Sequence, residues 1–168
     1  SAGTLSGTGV LTVTNLGVLN LAGSGDKRLA RVLENWGTVV WSGGNIDARG
    51  GAVNNRPGGV WALAGDLYFS DGVFNNEGTL VKTAGEATGQ STFRNYYTSD
   101  GRFHNAGLVD LQAGRMQLAV GGTQTGPFAL GTNTVLWLNS GTFALGEGTA
   151  VTGAGRVQVD GVTVNVTA

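Results

Sequence analysis

Cysteine is absent from this chain, so neither a disulfide framework nor a thiolate metal site is open to it. Proline occurs only twice in 168 residues, and no Gly-x-y period runs through the glycines, which excludes a collagen-like helix. Charge is scarce as well: Asp, Glu, Lys and Arg make up 12% of the residues where ~25% is usual, and the net charge is −1. The basic residues are dispersed, with only Lys27-Arg28 adjacent, so there is no electrostatic footprint for nucleic acid or an anionic membrane. Long apolar runs are missing too. The longest, Val60-Trp61-Ala62-Leu63-Ala64, is far short of the ~20 residues of a helical span, so no membrane insertion is expected. His104 is the only histidine, and with no cysteine beside it no metal and no cofactor are expected.

What the chain has in excess is glycine, 31 of 168 residues against a usual ~7%. Hydrophobic residues at 40% are too many for a disordered segment, and the remainder is Thr, Val, Leu and Asn, material for strands and tight turns. One phrase is written four times: Leu33-Glu34-Asn35-Trp36-Gly37-Thr38-Val39, Val53-Asn54-Asn55-Arg56-Pro57-Gly58-Gly59-Val60-Trp61, Phe74-Asn75-Asn76-Glu77-Gly78-Thr79-Leu80 and Phe103-His104-Asn105-Ala106-Gly107-Leu108-Val109. Its asparagines, Asn35, Asn55, Asn76 and Asn105, are separated by 20, 21 and 29 residues. A period near 20 that joins β-branched residues to Gly and Asn turns reads as an all-β fold, a β-solenoid with coils of about 20 residues.

The glycine of each phrase serves as a ruler. Two places after it stand Val39, Trp61, Leu80 and Val109; four places after it stand Trp41, Leu63, Lys82 and Leu111. Period-two alternation places both sets on one inward face of a strand. A second strand is expected after a glycine turn, at Gly44-Asn45-Ile46, Gly65-Asp66-Leu67-Tyr68-Phe69 and Gly114-Arg115-Met116-Gln117-Leu118, with a third short stretch closing the coil. The asparagine column has two physical uses: amides repeated at one corner can hydrogen-bond along the axis, and Asn tolerates the left-handed backbone of a corner. Helical spacing of Leu29, Val32 and Leu33 is visible in 26–35, but that segment runs straight into the first phrase and is read as coil lead-in.

The whole chain, 1–168, is expected to be one solenoid module. Its ends echo one another, Ser6-Gly7-Thr8-Gly9-Val10-Leu11-Thr12-Val13 against Thr152-Gly153-Ala154-Gly155-Arg156-Val157-Gln158-Val159, and Phe128-Ala129-Leu130-Gly131 returns as Phe143-Ala144-Leu145-Gly146. That echo suggests a module cut from a longer tandem array, whose partners would be neighbouring modules of the same chain. The period lengthens only in 86–102, which is read as an irregular insertion loop, and insertions in repeat proteins carry recognition.

Taken together, the F-x-N-x-G-T-[VL] phrases, the S-G-T-G-x-L-x-V edges and the Gly-Thr-Asn composition resemble the right-handed parallel β-helix repeats of bacterial surface proteins. Filamentous-haemagglutinin-like adhesins and autotransporter passengers are the comparison. The resemblance implies a right-handed parallel β-helix, export to the bacterial cell surface or the extracellular space, and an adhesive or spacer role without catalysis. It brings no catalytic residue, because no catalytic motif matches.

Candidate sites follow from the same pattern. Trp36, in a column with Arg56, Glu77 and Ala106, is expected at the surface; with Phe93, Arg94, Tyr96 and Tyr97 of the insertion it could bind a surface glycan or another cell-surface ligand. Trp41 and Trp61 fall in core columns, whereas periodicity leaves the face of Trp137 open. Asn45, Asp66, Glu86 and Arg115 each follow a glycine, and coils in register would hold Asp66 and Glu86 about 5 Å apart. Such a pair suits a retaining glycosidase, but ordinary turn chemistry explains it better, so no enzyme is expected. Lys82 stands in an inward column, where a buried ammonium is costly unless the coil opens there or Lys82 reaches a carboxylate such as Glu86. His104 precedes Asn105 in a column of Glu34, Asn54 and Asn75 and is expected to face solvent.

Overall fold

The computed structural model describes residues 2–86 and 89–167. All regular structure in them is β, and the strands assemble into three parallel sheets of 8, 8 and 7 members. In each sheet a strand pairs with the third strand before it and the third after it. The chain therefore winds as a solenoid of about eight coils spaced about 21 residues apart, one strand per sheet in each coil. Sheet A runs from Gly3–Leu5 to Arg156–Val159, sheet B from Leu11–Val13 to Thr163–Val166, and sheet C from Val18–Leu21 to Val151–Gly153. At ~4.8 Å per strand the stack is roughly 34 Å long.

The inward columns are those that the alternation predicts. In sheet C, Val39 pairs with Trp61, Trp61 with Leu80 and Leu80 with Val109; Trp41 pairs with Leu63, Leu63 with Lys82 and Lys82 with Leu111. All eight are buried. Sheet B contributes Leu33, Val53, Phe74 and Phe103, and sheet A contributes Ile46, Phe69, Phe93 and Leu118. The centre of the rod is aromatic: Phe74 packs edge-on against Trp61, Phe69 and Phe93 and stacks on Phe103. Each such pair adds about 0.5–1.5 kcal/mol beyond its burial. The 26–35 segment forms two strands, Lys27–Leu29 and Val32–Asn35, joined across a corner.

The asparagines form a continuous amide ladder inside sheet B. Asn35 Nδ2 donates to Asn55 Oδ1 at 2.7 Å, Asn55 Nδ2 to Asn76 Oδ1 at 2.8 Å, and Asn76 Nδ2 to Asn105 Oδ1 at 2.7 Å. The second N–H of each of the first three donates to a carbonyl of the next coil, of Val60, Thr79 and Leu108. The left-handed corner expected of these asparagines is not used. All four have ordinary strand dihedrals, because the turn itself falls on the residues that follow. The glycine two places after Asn76 and after Asn105 is fixed by proximity instead: a Cβ at Gly78 would lie 2.3 Å from the Gly59 carbonyl oxygen, and one at Gly107 2.1 Å from that of Gly78.

Three readings of the sequence are corrected. The glycine ruler slips in sheet A, where Ile46 pairs with Phe69 and Arg115 with Gln90, so Asn45, Asp66, Glu86 and Arg115 do not form one row. Corner lengths vary between coils, and the inward apolar column sets the register rather than the glycine. The echo at the ends also fails to mark equal positions: Leu11–Val13 lies in sheet B but Arg156–Val159 in sheet A, and Phe128–Leu130 lies in sheet C but Thr142–Leu145 in sheet B. These are strand phrases, reused on different faces. Finally, 86–102 is not one loop. Residues 87 and 88 of it lie outside the described residues, and Gln90–Arg94 is an in-register strand of sheet A whose Phe93 is only 1% exposed. The irregular part is the corner 95–101.

Candidate functional site

The outer face of sheet A carries a column that climbs the rod: Thr4 pairs with Arg28, Arg28 with Asp47, Asp47 with Ser70 and Ser70 with Arg94. The corner after Arg94 folds back over this column. A groove of about 400 Å³ lies between them, and Arg28, Asp47, Ser70, Arg94, Tyr96 and Tyr97 are in its lining. The corner is held from below by Asp71, which is buried and has φ of 64°. Its Oδ1 accepts the backbone N–H groups of Tyr96, Tyr97 and Thr98 at 2.7, 2.8 and 2.9 Å. Three N–H donors on one carboxylate oxygen fix the backbone from which both tyrosines project. No sequence pattern points to this clasp, because its partners are backbone N–H groups.

The charges around the groove are unevenly matched. Asp47 accepts from Arg49 Nε at 3.0 Å on both oxygens, and Arg28 Nη1 reaches Asp47 Oδ2 only at 3.4 Å. Hydrogen bonds from Arg49 hold the Asp47 carboxyl below its usual range, outweighing the opposing effect of burial. Arg94 has no ion pair and makes no hydrogen bond from its guanidinium among the described residues. Its guanidinium carbon instead lies 4.3 Å from the Tyr68 ring centroid and 4.9 Å from that of Tyr96. Arg49 covers Tyr97 in the same way at 3.9 Å, and the two tyrosine rings meet edge-on with centroids 4.5 Å apart.

The expected ligand residues separate into three places. Tyr96 and Tyr97 are each 62% exposed and border the groove with Arg94. Phe93 is core, packed on Phe69, Phe74 and Phe103, because alternation along its strand turns it inward; it cannot meet a ligand. Trp36 is 45% exposed, but it sits at the corner between sheets B and C, whereas Tyr96 and Tyr97 follow a strand of sheet A and precede one of sheet B. The combined surface of Trp36 with the two tyrosines is therefore not formed.

Of the two carboxylates paired from sequence, Asp66 is engaged in structural bonds. Lys82 is fully buried and its Nζ donates to Asp66 Oδ1 at 2.9 Å and to the Gly65 and Ala84 carbonyls at 2.9 and 2.8 Å. Its carboxylate is Asp66, not Glu86, whose backbone N–H donates to Asp66 Oδ2 at 3.0 Å. The inward lysine thus pins the corner where the strand Thr79–Ala84 shifts register. Glu34 and Glu77 both bind Arg56. His104 is half-buried, and its Nδ1 accepts from Thr123 N at 3.1 Å; burial and the nearby Arg102 lower its pKa from 6.5. Trp137 faces outward, with its indole N–H on Asp160 and Arg115 over its ring. No protein-family profile, curated protein or solved structure matches the chain.

Proposed function

We propose that the chain is a non-enzymatic, extracellular rod segment of a large surface protein, whose task is to hold what it carries at a fixed distance. The observation that carries this reading is the unbroken parallel pairing of 8, 8 and 7 strands around one core, with an amide ladder locking four consecutive coils. Each coil meets only its neighbours, so length is added coil by coil without changing the cross-section. The commitment of Asp47, Asp66, Glu34 and Glu77 to structural bonds supports a scaffold more than acid–base chemistry. Fluorophores attached at Gly3 and Asn165 test this: a spacer gives one narrow distance distribution of roughly 34 Å. A broad distribution, or release of reducing ends from polysaccharide by the purified chain, would refute it.

The groove favours a second role on the same rod, as a glycan-binding face. Tyr96 and Tyr97 offer exposed rings, and Asp47 and Arg94, two strand steps apart in one column, offer polar groups along the axis. Sugars are bound by such a combination of ring faces and directed hydrogen bonds. Replacing Tyr96 and Tyr97 together by Ala should abolish glycan binding and leave β-type circular dichroism unchanged. Retained binding would remove this role.

A further inference from the structure

We infer that the groove on sheet A selects acidic polysaccharide, with the carboxylate of a uronic-acid unit received by Arg94. This rests on the glycan-binding reading of that groove and names the ligand class. The argument starts from a mismatch of charge. Among the described groups bordering the groove, Asp26 accepts from the backbone N–H and side-chain amide of Asn45, and Lys27 directs its ammonium to the carbonyls of Gly23, Gly25 and Gly43. Asp47 is taken by Arg49. Arg94 is left with no carboxylate, and Arg28 with one long contact to a carboxylate already bound elsewhere. Arg94 therefore faces the groove with its charge unmatched among the described residues, and Arg28 faces it held only by two long contacts, to Asp47 and to the Arg49 carbonyl, both at 3.4 Å.

The guanidinium of Arg94 is also set in place beforehand. Its guanidinium carbon lies over both the Tyr68 and Tyr96 rings, and these two cation–π contacts restrain the group while taking up none of its N–H donors. Its Nε is buried without a partner, while its terminal nitrogens are not among the buried groups and open on the groove. A planar fork of donors with free terminal nitrogens matches a carboxylate better than it matches a neutral hydroxyl. Arg28 is three strand steps away in the same outward column, or roughly 14 Å along the rod. Ser70, buried with its hydroxyl on the Ile46 carbonyl, and Asp47, whose carboxylate can accept from a sugar hydroxyl besides Arg49, stand between the two arginines, and Tyr96 and Tyr97 stand beside Arg94, able to stack on a ring. The column climbs the rod strand by strand, which suits a linear polysaccharide lying lengthwise. An acidic peptide would use the arginines but would leave the tyrosine faces without a matching surface.

The test is a titration of the purified chain with oligogalacturonate, with its methyl ester and with poly-glutamate at equal carboxylate concentration. The acid form should bind, and both the ester and poly-glutamate should bind at least about tenfold more weakly. Arg94→Gln and Arg28→Gln should each weaken binding of the acid form about tenfold or more at an unchanged melting temperature, with Arg94→Lys intermediate. Trp36→Ala, at a separate corner, should change nothing. Equal binding of acid and ester that still depends on Tyr96 and Tyr97 would overturn the acidic class and leave the glycan-binding groove standing. Equal binding of poly-glutamate would also overturn the proposal, in favour of a peptide or an unselective polyanion site. Binding of none of the three would overturn both it and the glycan-binding role.

Discussion

If the amide ladder locks the coils, truncating its middle must cost more than truncating its end, although the same side chain is removed. Asn55→Ala deletes three hydrogen bonds: the acceptor of Asn35 Nδ2, and the donors to Asn76 Oδ1 and the Thr79 carbonyl. Asn105→Ala deletes one, the acceptor of Asn76 Nδ2, which keeps its bond to the Leu108 carbonyl. The Asn105 Nδ2 has no partner to lose. A buried hydrogen bond contributes about 0.5–1.5 kcal/mol net, and a stranded buried partner raises the cost. Both variants lose the same packing, so Asn55→Ala should cost about 2–4 kcal/mol and Asn105→Ala about 1–2 kcal/mol. Asn75→Ala, in the half-exposed outward column of the strand Val73–Asn76 that lies between those two, should stay within about 0.5 kcal/mol. Urea unfolding followed by far-ultraviolet circular dichroism measures all three, and an unchanged m-value shows that the same cooperative unit is being read. Equal losses in Asn55→Ala and Asn105→Ala would show that packing, not the ladder, holds the corner.

Other perturbations probe other parts of the rod. Gly78→Ala sets a Cβ against two backbone carbonyls, 2.3 and 2.4 Å away, and should cost about 3–5 kcal/mol in the same unfolding assay. Gly65→Ala, whose nearest neighbour is the Leu67 side chain at 3.6 Å, should be nearly neutral. Lys82→Ala removes the cation from the Asp66 carboxylate, which keeps only the Glu86 N–H, and strands the Ala84 carbonyl, while the Gly65 carbonyl keeps Ser91 Oγ; it should cost about 3 kcal/mol. Asp66→Asn, which keeps an acceptor for Lys82, should cost less. For His104, burial and Arg102 lower the native pKa below 6.5, so the unfolded chain binds the proton more readily. Stability should be full above about pH 6.5, decline as pH falls from there toward the lower native value, and lose that slope in His104→Gln, as thermal melts across pH 5–8 would show.

How much could be read from sequence divides along a physical line. The inward columns of sheet C were legible because they repeat at a fixed offset from a glycine that close backbone approach makes obligatory, and the asparagine ladder because the same amide recurs at one corner of four consecutive coils. Sheet A was less so. Its corners differ in length, so the glycine ruler failed and the pairing of Ile46 with Phe69 had to come from the core. Phe93 was misplaced for a related reason: Gln-Ser-Thr-Phe-Arg has a single strongly apolar residue, too few to show period two, yet that residue fills the column between Phe69 and Leu118. The groove was half legible. Arg94, Tyr96 and Tyr97 stood out as an aromatic-rich interruption, but Arg28, Asp47 and Ser70 join them only through register between coils about 20 residues apart, and the clasp at Asp71 depends on three backbone N–H groups that no pattern of side chains reveals.

The point where the ladder stops shows that the ladder is a property of residue type at a corner and not of the corner itself. The backbone at 124–126 repeats the earlier corners: Thr125 and Gly126 donate to the Asn105 carbonyl, just as Glu77 and Gly78 donate to that of Asn55. A Cβ at Gly126 would lie 2.1 Å from the Gly107 carbonyl oxygen, so the close approach persists as well. What differs is Gln124 in the asparagine position, paired with Asn105 across the sheet. One methylene longer, its amide turns back to donate to the Phe103 carbonyl at 2.8 Å, and both its Oε1 and the Asn105 Nδ2 are left buried without partners. Each stranded group costs about 1–3 kcal/mol. Gln124→Asn should let Asn105 donate to residue 124 and repair both, against the loss of one hydrogen bond and about 0.8 kcal/mol for one buried methylene. The balance is a gain of about 1 kcal/mol, measured as a rise in the urea midpoint, while Gln124→Ala should lower it. If Gln124→Asn falls with Gln124→Ala, the amide that matters at this corner is the one bonded to Phe103, and the ladder is a consequence of stacking rather than a cause of it.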